Sequence, residues 1–362
     1  MPTGLYIHVP FCTTKCNYCK FYSVKYNNCK QAKAYTAAVL RNVHKLVEAE
    51  QLCADTVFFG GGTPSLLYSS VAEILRSVPL AEAAEVTVEC NPCDITEPML
   101  AELTGAGVNR LSIGVQCLDD ALLQQLGRRH NADRAVWAVL LAGEKLRNIS
   151  VDIMIGIPGQ AMQVRESLTR TVETIARLPV SHVSAYIYEG KTNHSDDFVA
   201  ELYLDTVKLL GDCGFTQYEI SNFARTAGGE PVQCRHNLKY WKREPYIGIG
   251  PAAHSFYGGV RFAVPDDLEL FTGCLYQERE LIDSDVNAWE ERVMLGLRLS
   301  EGVALSDLPQ GWREALDGVP SECYRVAGGR LSLTADGFLI ANAIIGELLY
   351  CSNTTHAHKH DM

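Results

Sequence analysis

Up to residue 215 the chain alternates short β-rich runs with longer amphipathic ones. The β-rich runs cover residues 5–9, 56–59, 85–89, 110–115, 150–155 and 182–186. Helical periodicity falls between them, over residues 32–50, 71–78, 98–105, 134–146 and 164–176. Such alternation predicts an α/β fold, a parallel sheet with crossover helices. Six units stop short of an eight-fold barrel, so the expected architecture is an open, partial (β/α)6 barrel.

The alternation ends where Gly, Pro and polar residues thicken, around residues 224–231. Four segments are therefore expected. Residues 1–215 form the barrel, 216–285 a linking segment, 286–351 a small α+β domain of winged-helix-like order, and 352–362 a disordered tail. His356, His358 and His360 in that tail read as solvated residues.

The hydrophobic fraction of 47% is enough for a packed core and excludes disorder over most of the chain. The net charge of −11 repels phosphate backbones and argues against a nucleic-acid binder. No apolar run reaches the roughly 18 residues of a transmembrane candidate. The start, MPTGLYIHVPFC, lacks the basic lead and apolar stretch of a signal peptide, so the expected location is the cytoplasm, not integral to a membrane.

Thirteen cysteines in irregular spacing do not form a disulfide framework. Cys53, Cys117, Cys213, Cys274 and Cys323 stand alone and are expected to be small buried hydrophobes. Cys12, Cys16 and Cys19 differ, because three thiols fall within eight positions directly after the first strand. Structural zinc wants four closed ligands, and Cys29 or His8 would have to complete such a site. A [4Fe–4S] cluster fits better, with three cysteines leaving one iron open to a non-protein ligand. The spacing C-x3-C-x2-C resembles that of the radical S-adenosylmethionine (radical-SAM) superfamily, whose fold is a partial α/β barrel. That resemblance implies S-adenosylmethionine chelated to the open iron and cleaved at its sulfonium by one electron from the cluster.

In a parallel barrel, chemistry gathers at the C-terminal strand ends. The second strand ends in FFGGGTP, the third at Glu89, the fourth at Gln116, and Arg128 follows twelve residues later. The fifth strand carries Asp152. A carboxylate suits an ammonium or a ribose, and a guanidinium pairs bidentately with a carboxylate. Taken singly, each residue is more often structural. Their recurrence at successive strand ends reverses that weighting.

The segments YIHVPFCTTKCNYCKF, FFGGGTPSLL, LSIGVQCLDD, DIMIGIPGQ, YEISNFAR, RHNLKYW and YIGIGPAAHS together resemble the oxygen-independent coproporphyrinogen III oxidase-like branch of that superfamily. The similarity runs from Tyr6 to about Phe256 and continues weakly to Leu349. It implies S-adenosylmethionine contacts from Tyr6, Gly61, Gly62, Thr63, Glu89, Gln116, Arg128 and Asp152, and a cluster on Cys12, Cys16 and Cys19.

The branch contains oxidases, which decarboxylate coproporphyrinogen III, and heme chaperones of the HemW type, which bind heme and pass it to acceptor proteins. In the oxidases a further cysteine follows the third cluster cysteine by two positions. Here that position is Phe21. The chaperones carry an H-N-x-x-Y-W motif, present as His236, Asn237, Tyr240 and Trp241. The resemblance thus implies a heme chaperone with heme at this motif, unidentified acceptor proteins and an electron donor to the cluster. Residue chemistry alone also allows His236 to be a hydrogen-bonded histidine at a domain junction, with Tyr240 and Trp241 in the core. His254 is a second candidate for heme. Lys20 stands where the chaperones usually have an acidic residue, and its charge is expected to act on the cluster's field.

Overall fold

The structure, a computed structural model, describes residues 3–284 and 288–357. Six parallel strands lie side by side in chain order: β1 (Thr3–Val9), β2 (Ala54–Gly61), β3 (Leu80–Cys90), β4 (Arg110–Gln116), β5 (Asn148–Ile155) and β6 (His182–Ile187). The crossovers carry α1 (Cys29–Glu50), α2 (Tyr68–Arg76), α3 (Glu97–Ala106), α4 (Asp120–Gln125), α5 (Ala132–Gly143) and α6 (Ala161–Ala176), and α7 (Asp196–Asp212) follows β6. Each predicted strand lies within an observed one. The helices α4 and α7 were not expected from the periodicity.

Strand alternation sorts the side chains into two sets. Leu5, Ile7, Val57, Phe59, Val86, Val88, Leu111 and Ile113 are fully buried in the apolar core under the helices. The intervening positions are Tyr6, His8, Thr56, Glu85, Glu89, Arg110, Ser112 and Asp152, and they face the barrel interior. The barrel is thus apolar outside, where helices cover it, and polar inside.

The segment 216–285 is more than a link, because it extends the same sheet on both edges. β7 (Thr216–Gln217) and β8 (Asn222–Ala224) add antiparallel strands beyond β6. β9 (Tyr246–Ile249) pairs parallel with β1, and β10 (His254–Tyr257), β11 (Val260–Ala263) and β12 (Glu280–Asp283) continue outward. Between the two edges, α8 (Arg235–Trp241) closes the N-terminal end of the barrel. Its first backbone N–H groups, from Arg235 and His236, both donate to the Glu85 carboxylate at 3.1 Å. Helix α9 (Leu268–Gly273) packs on α1.

The C-terminal unit contains α10 (Ala288–Gly296), α11 (Trp312–Ala315), α12 (Ala335–Leu339) and α13 (Ala341–Ala357) around a small antiparallel sheet. That sheet is formed by β13 (Val303–Ala304), β14 (Tyr324–Ala327) and β15 (Arg330–Leu333), in the order β13-β15-β14. It joins the barrel through backbone bonds from Ile220 to Arg298 and from Ser300 to Tyr218. Helix α13 runs to Ala357, past residue 352 where the sequence predicts a disordered tail. Residues 358–362, with His358 and His360, lie outside the described residues. Among the isolated cysteines, Cys117 and Cys323 are buried as expected, whereas Cys53 is exposed and Cys213 and Cys274 are half-buried. No helix among the described residues is long and apolar enough to cross a membrane.

Candidate functional site

A cavity of about 690 Å³ opens at the C-terminal ends of the parallel strands. It brings together Cys12, Cys16 and Cys19 from the loop after β1 with Gly61, Gly62 and Thr63 after β2. Glu89, Gln116, Arg128 and Asp152 complete its inner wall. Residues 42 to 140 positions along the chain from the cysteines therefore meet at one mouth. From the C-terminal unit, Phe338 and Leu339 of α12 form part of the outer wall.

The cysteine loop is held at both ends. Phe11–Cys12 pairs parallel with Val24–Lys25, and the Tyr26 N–H donates to the Cys12 carbonyl at 2.8 Å. Inside the loop the Cys19 N–H donates to the Cys16 carbonyl at 3.2 Å, which turns both thiols to the same side. Thr63 Oγ1 donates to Cys12 Sγ at 3.4 Å, and Arg128 Nη1 to Cys16 Sγ at 3.6 Å. Burial raises the Cys19 thiol pKa, and the charges of Cys12 and Cys16 push it further. Binding of cationic iron would relieve that repulsion by stabilising all three thiolates together.

Among the described residues, no three His, Cys, Asp or Glu side chains converge tightly enough for one metal ion. A four-iron cluster distributes its thiolates over separate irons and suits a wider spacing. The two groups that could complete a zinc site are engaged elsewhere. His8 Nε2 donates to the Tyr22 carbonyl at 2.9 Å while Nδ1 accepts from Tyr6 Oη at 3.0 Å. Both bonds suit the neutral ring, and burial lowers its pKa accordingly. Cys29 is exposed and only accepts from Tyr26 Oη at 3.8 Å.

The glycine run has a packing reason. A Cβ on Gly61 would lie 2.5 Å from the His8 ring, and Gly61 has a φ of +108°. A Cβ on Gly62 would lie 2.7 Å from the Phe11 carbonyl oxygen. Without side chains, β2 can close against the cysteine loop, with the Gly62 N–H on the Val9 carbonyl and the Thr63 N–H on the Phe11 carbonyl, both at 2.8 Å. The Gly61 N–H reaches Glu89 Oε2 at 3.1 Å. Ser112 Oγ donates to Asp152 Oδ1 at 3.0 Å. Gln116, at the end of β4, holds a φ of +67°, a left-handed backbone that a non-glycine residue adopts only when its surroundings enforce it.

Glu89 and Asp152 form no ion pair among the described residues. Burial, then the Asp152 charge, raises the Glu89 pKa to about 8 against the pull of the Gly61 N–H and Arg110. Burial also raises Asp152, against the hydroxyls of Ser112 and Ser184. Two carboxylates whose ionisation is opposed by burial would gain from a cationic ligand. Because the folded value for Glu89 lies above its unfolded value, its stabilising effect is present at low pH and is lost as pH rises from about 4.5 towards 8. Glu89→Gln should therefore make the ligand-free protein's denaturant midpoint less pH-dependent across that window. An unchanged slope would mean that Glu89 is already ionised when folded.

Several predicted residues lie elsewhere. Tyr6 does not line the cavity; its ring packs beside those of Phe58 and His236, 6.3 and 6.4 Å away, which stack on each other at 5.3 Å, and its hydroxyl serves His8. His236 is fully buried in the barrel floor. Its Nδ1 bonds Thr56 Oγ1 at 2.8 Å and its Nε2 bonds Tyr240 Oη at 2.9 Å. Burial lowers its pKa to about 3, so the ring is neutral. Both ring nitrogens are thus engaged, as for the hydrogen-bonded histidine that residue chemistry alone allows. Asn237 and Trp241 are half-buried, Tyr240 packs edge-on against Tyr246, and none of the four residues borders the cavity. His254 is exposed at the start of β10.

Lys20 is paired with Glu189 at 2.7 Å across the mouth, and this partner offsets its charge. Sequence reasoning missed Ser112, which orients Asp152, and Arg110, fully buried between the interior carboxylates. The alternation along β4 carried the signal, because both occupy inward positions. It also missed Tyr186 and Leu339 at the cavity rim.

Residues 6–172 match the family described as the Radical SAM superfamily. Heme chaperone HemW of Bacillus subtilis (strain 168) is 31% identical over 380 residues, covering 95% of this chain and 98% of that protein. Radical S-adenosyl methionine domain-containing protein 1, mitochondrial, of Danio rerio is 32% identical over 372 residues, covering 92% of this chain and 82% of its own length. Coproporphyrinogen III oxidase (HemN) from Escherichia coli shares the fold, with a TM-score of 0.79 at 19% identity over 96% of this chain and 90% of that one. With a mouth of this composition and near full-length relatives above 30% identity, the chain belongs to the HemW family of radical-SAM proteins.

Proposed function

We propose that this chain is a heme chaperone that carries a [4Fe–4S] cluster on Cys12, Cys16 and Cys19 and binds S-adenosylmethionine. Gly61, Gly62, Thr63, Glu89, Gln116, Arg128 and Asp152 would hold that ligand, and heme would pass to acceptor proteins. The carrying observation is the single mouth at which all three cysteines meet these seven residues. When bound, such a cluster supplies one electron and an iron with an open position.

The chain's own residues fit a ligand that has an ammonium, a carboxylate and a sugar. Glu89 and Asp152 provide acceptors for the cationic and hydroxyl groups. Arg128 provides a buried guanidinium whose Nε has no partner among the described residues. The similarity to heme chaperone HemW of Bacillus subtilis supports heme as cargo. An electron donor to the cluster and a heme acceptor are the partners this reading requires.

Phe21, in place of the further cysteine expected of the oxidases, weighs against decarboxylation. Anaerobic reconstitution followed by iron, zinc and heme quantification on one sample tests the reading. The expected result is roughly four irons and one heme per chain. The same sample, given coproporphyrinogen III and a reductant, should yield no decarboxylated product. Turnover to protoporphyrinogen IX would favour the oxidase reading.

A further inference from the structure

We infer that heme lies across the outer lip of the barrel mouth, against Phe21 and α12, and that His236 is a structural residue of the barrel floor; this placement rests on the heme-chaperone reading above. A porphyrin is a flat apolar disc with anionic propionates along one edge. It needs apolar side chains on its face and cations at its rim.

The lip offers the first. Phe21 is 65% exposed, Tyr186 42% and Ile187 39%, and Leu339 is half-buried. They come from the cysteine loop, the end of β6 and α12, yet all border one cavity. Scattered exposed apolar residues need no explanation, but several gathered around one concavity mark a ligand surface. Phe21 also occupies the position where the oxidases are expected to carry their further cysteine. The residue that separates the two activities in sequence is thus a wall of this slot.

The rim offers the second. Lys15, Lys20 and Arg129 border the same cavity, on a chain whose net charge is −11. Lys20 bonds Glu189 and Arg129 bonds Asp94 at 2.9 Å. The Lys20 pair is exposed on both sides, so water already weakens it and a propionate can replace the glutamate. Lys15 Nζ donates to the Phe21 carbonyl at 3.3 Å, which holds that cation at the Phe21 backbone.

At the floor the corresponding groups are packed against one another and already engaged. For His236 to reach iron, either its Thr56 bond or its Tyr240 bond must break, and the fully buried ring must be uncovered. Cargo that is handed on must leave without unfolding its carrier. A macrocycle held at an open lip can exchange edgewise with an acceptor, whereas one under the barrel cannot.

Hemin titration of the anaerobically reconstituted full chain, followed at the Soret band, tests the placement. Phe21→Glu and Leu339→Glu should each weaken hemin by about tenfold or more, equivalent to about 1.4 kcal/mol. Their iron content and their spectral response to S-adenosylmethionine should match wild type. His236→Gln should keep hemin affinity within about twofold, a change of under about 0.5 kcal/mol. Wild-type hemin affinity in both lip variants would overturn the placement. So would loss of the Soret band in His236→Gln with iron content and far-ultraviolet dichroism intact, which would move heme to the floor. A wild-type chain that takes up no hemin would overturn the heme reading itself, a result distinct from both.

Discussion

Replacing any one of Cys12, Cys16 or Cys19 by Ala should empty the loop of iron and abolish the visible absorbance of the anaerobically reconstituted protein. The expected loss is large because the loop has no spare ligand. His8 is committed on both ring nitrogens, and Cys29 is exposed and tied to Tyr26. A cluster that starts with three protein thiolates would be left with two. Each thiol also has its own neighbour, so the three variants should fail for the same reason without sharing a folding defect. Cys12 loses the Thr63 hydroxyl, Cys16 the Arg128 guanidinium, and Cys19 the Phe21 backbone N–H. Cys29→Ala is the control and should retain full iron. Stoichiometric zinc in anaerobically prepared wild type, with no reconstitutable iron, would sink the cluster assignment.

The barrel was legible because its two faces differ chemically. In β3 the sequence V-T-V alternates between core and interior, and Val86 and Val88 are fully buried beneath the helices. Such alternation survives in sequence without tertiary context. The strand-end residues were legible for the same reason: Glu89, Gln116 and Asp152 are polar residues at or near the ends of strongly patterned strands. The sheet extensions were not. β9 reads Y-I-G-I, too short for a period, and it becomes a strand by pairing with β1 and β10. Helix α7 was missed although its Leu202, Thr206 and Leu210 form a buried face at four-residue spacing.

The H-N-L-K-Y-W segment shows the limit most clearly. An aromatic stripe with a histidine suits a porphyrin face and a packed floor equally well. Only the positions of Thr56 and Tyr240 on either side of the ring distinguish them, and both contacts depend on the folded chain. The position of Tyr6 depends on the folded chain in a related way. It lies next to the motif in sequence, but an inward position early in β1 places it below the mouth, where it links His8 to His236.

Arg128→Ala should weaken S-adenosylmethionine by about 10–150-fold, from a lost charge-assisted contact of about 1.5–3 kcal/mol. Arg128 reaches the mouth from the turn after α4 and is held there by its Nη2 on the Gly114 carbonyl at 2.6 Å. Its Nη1 lies on Cys16 Sγ and on Tyr18 Oη, at 3.6 and 3.4 Å. The buried Nε is left without a partner among the described residues. The guanidinium borders the cavity next to Cys16, so a ligand carboxylate arriving beside the cysteines would pair with its charge. Lysine cannot reproduce this arrangement, because one ammonium cannot span Gly114, Cys16 and a carboxylate in a fixed plane, so Arg128→Lys should recover little of the loss. Removing a cation from beside Cys16 should also make the cluster harder to reduce, an effect read as a lower potential. Iron content should stay near wild type, since Arg128 is not a ligand. The measurement is the ligand-induced change in the cluster spectrum, titrated in wild type, Arg128→Ala and Arg128→Lys. Unchanged affinity in both variants would mean that Arg128 serves only to pin the cysteine loop to β4.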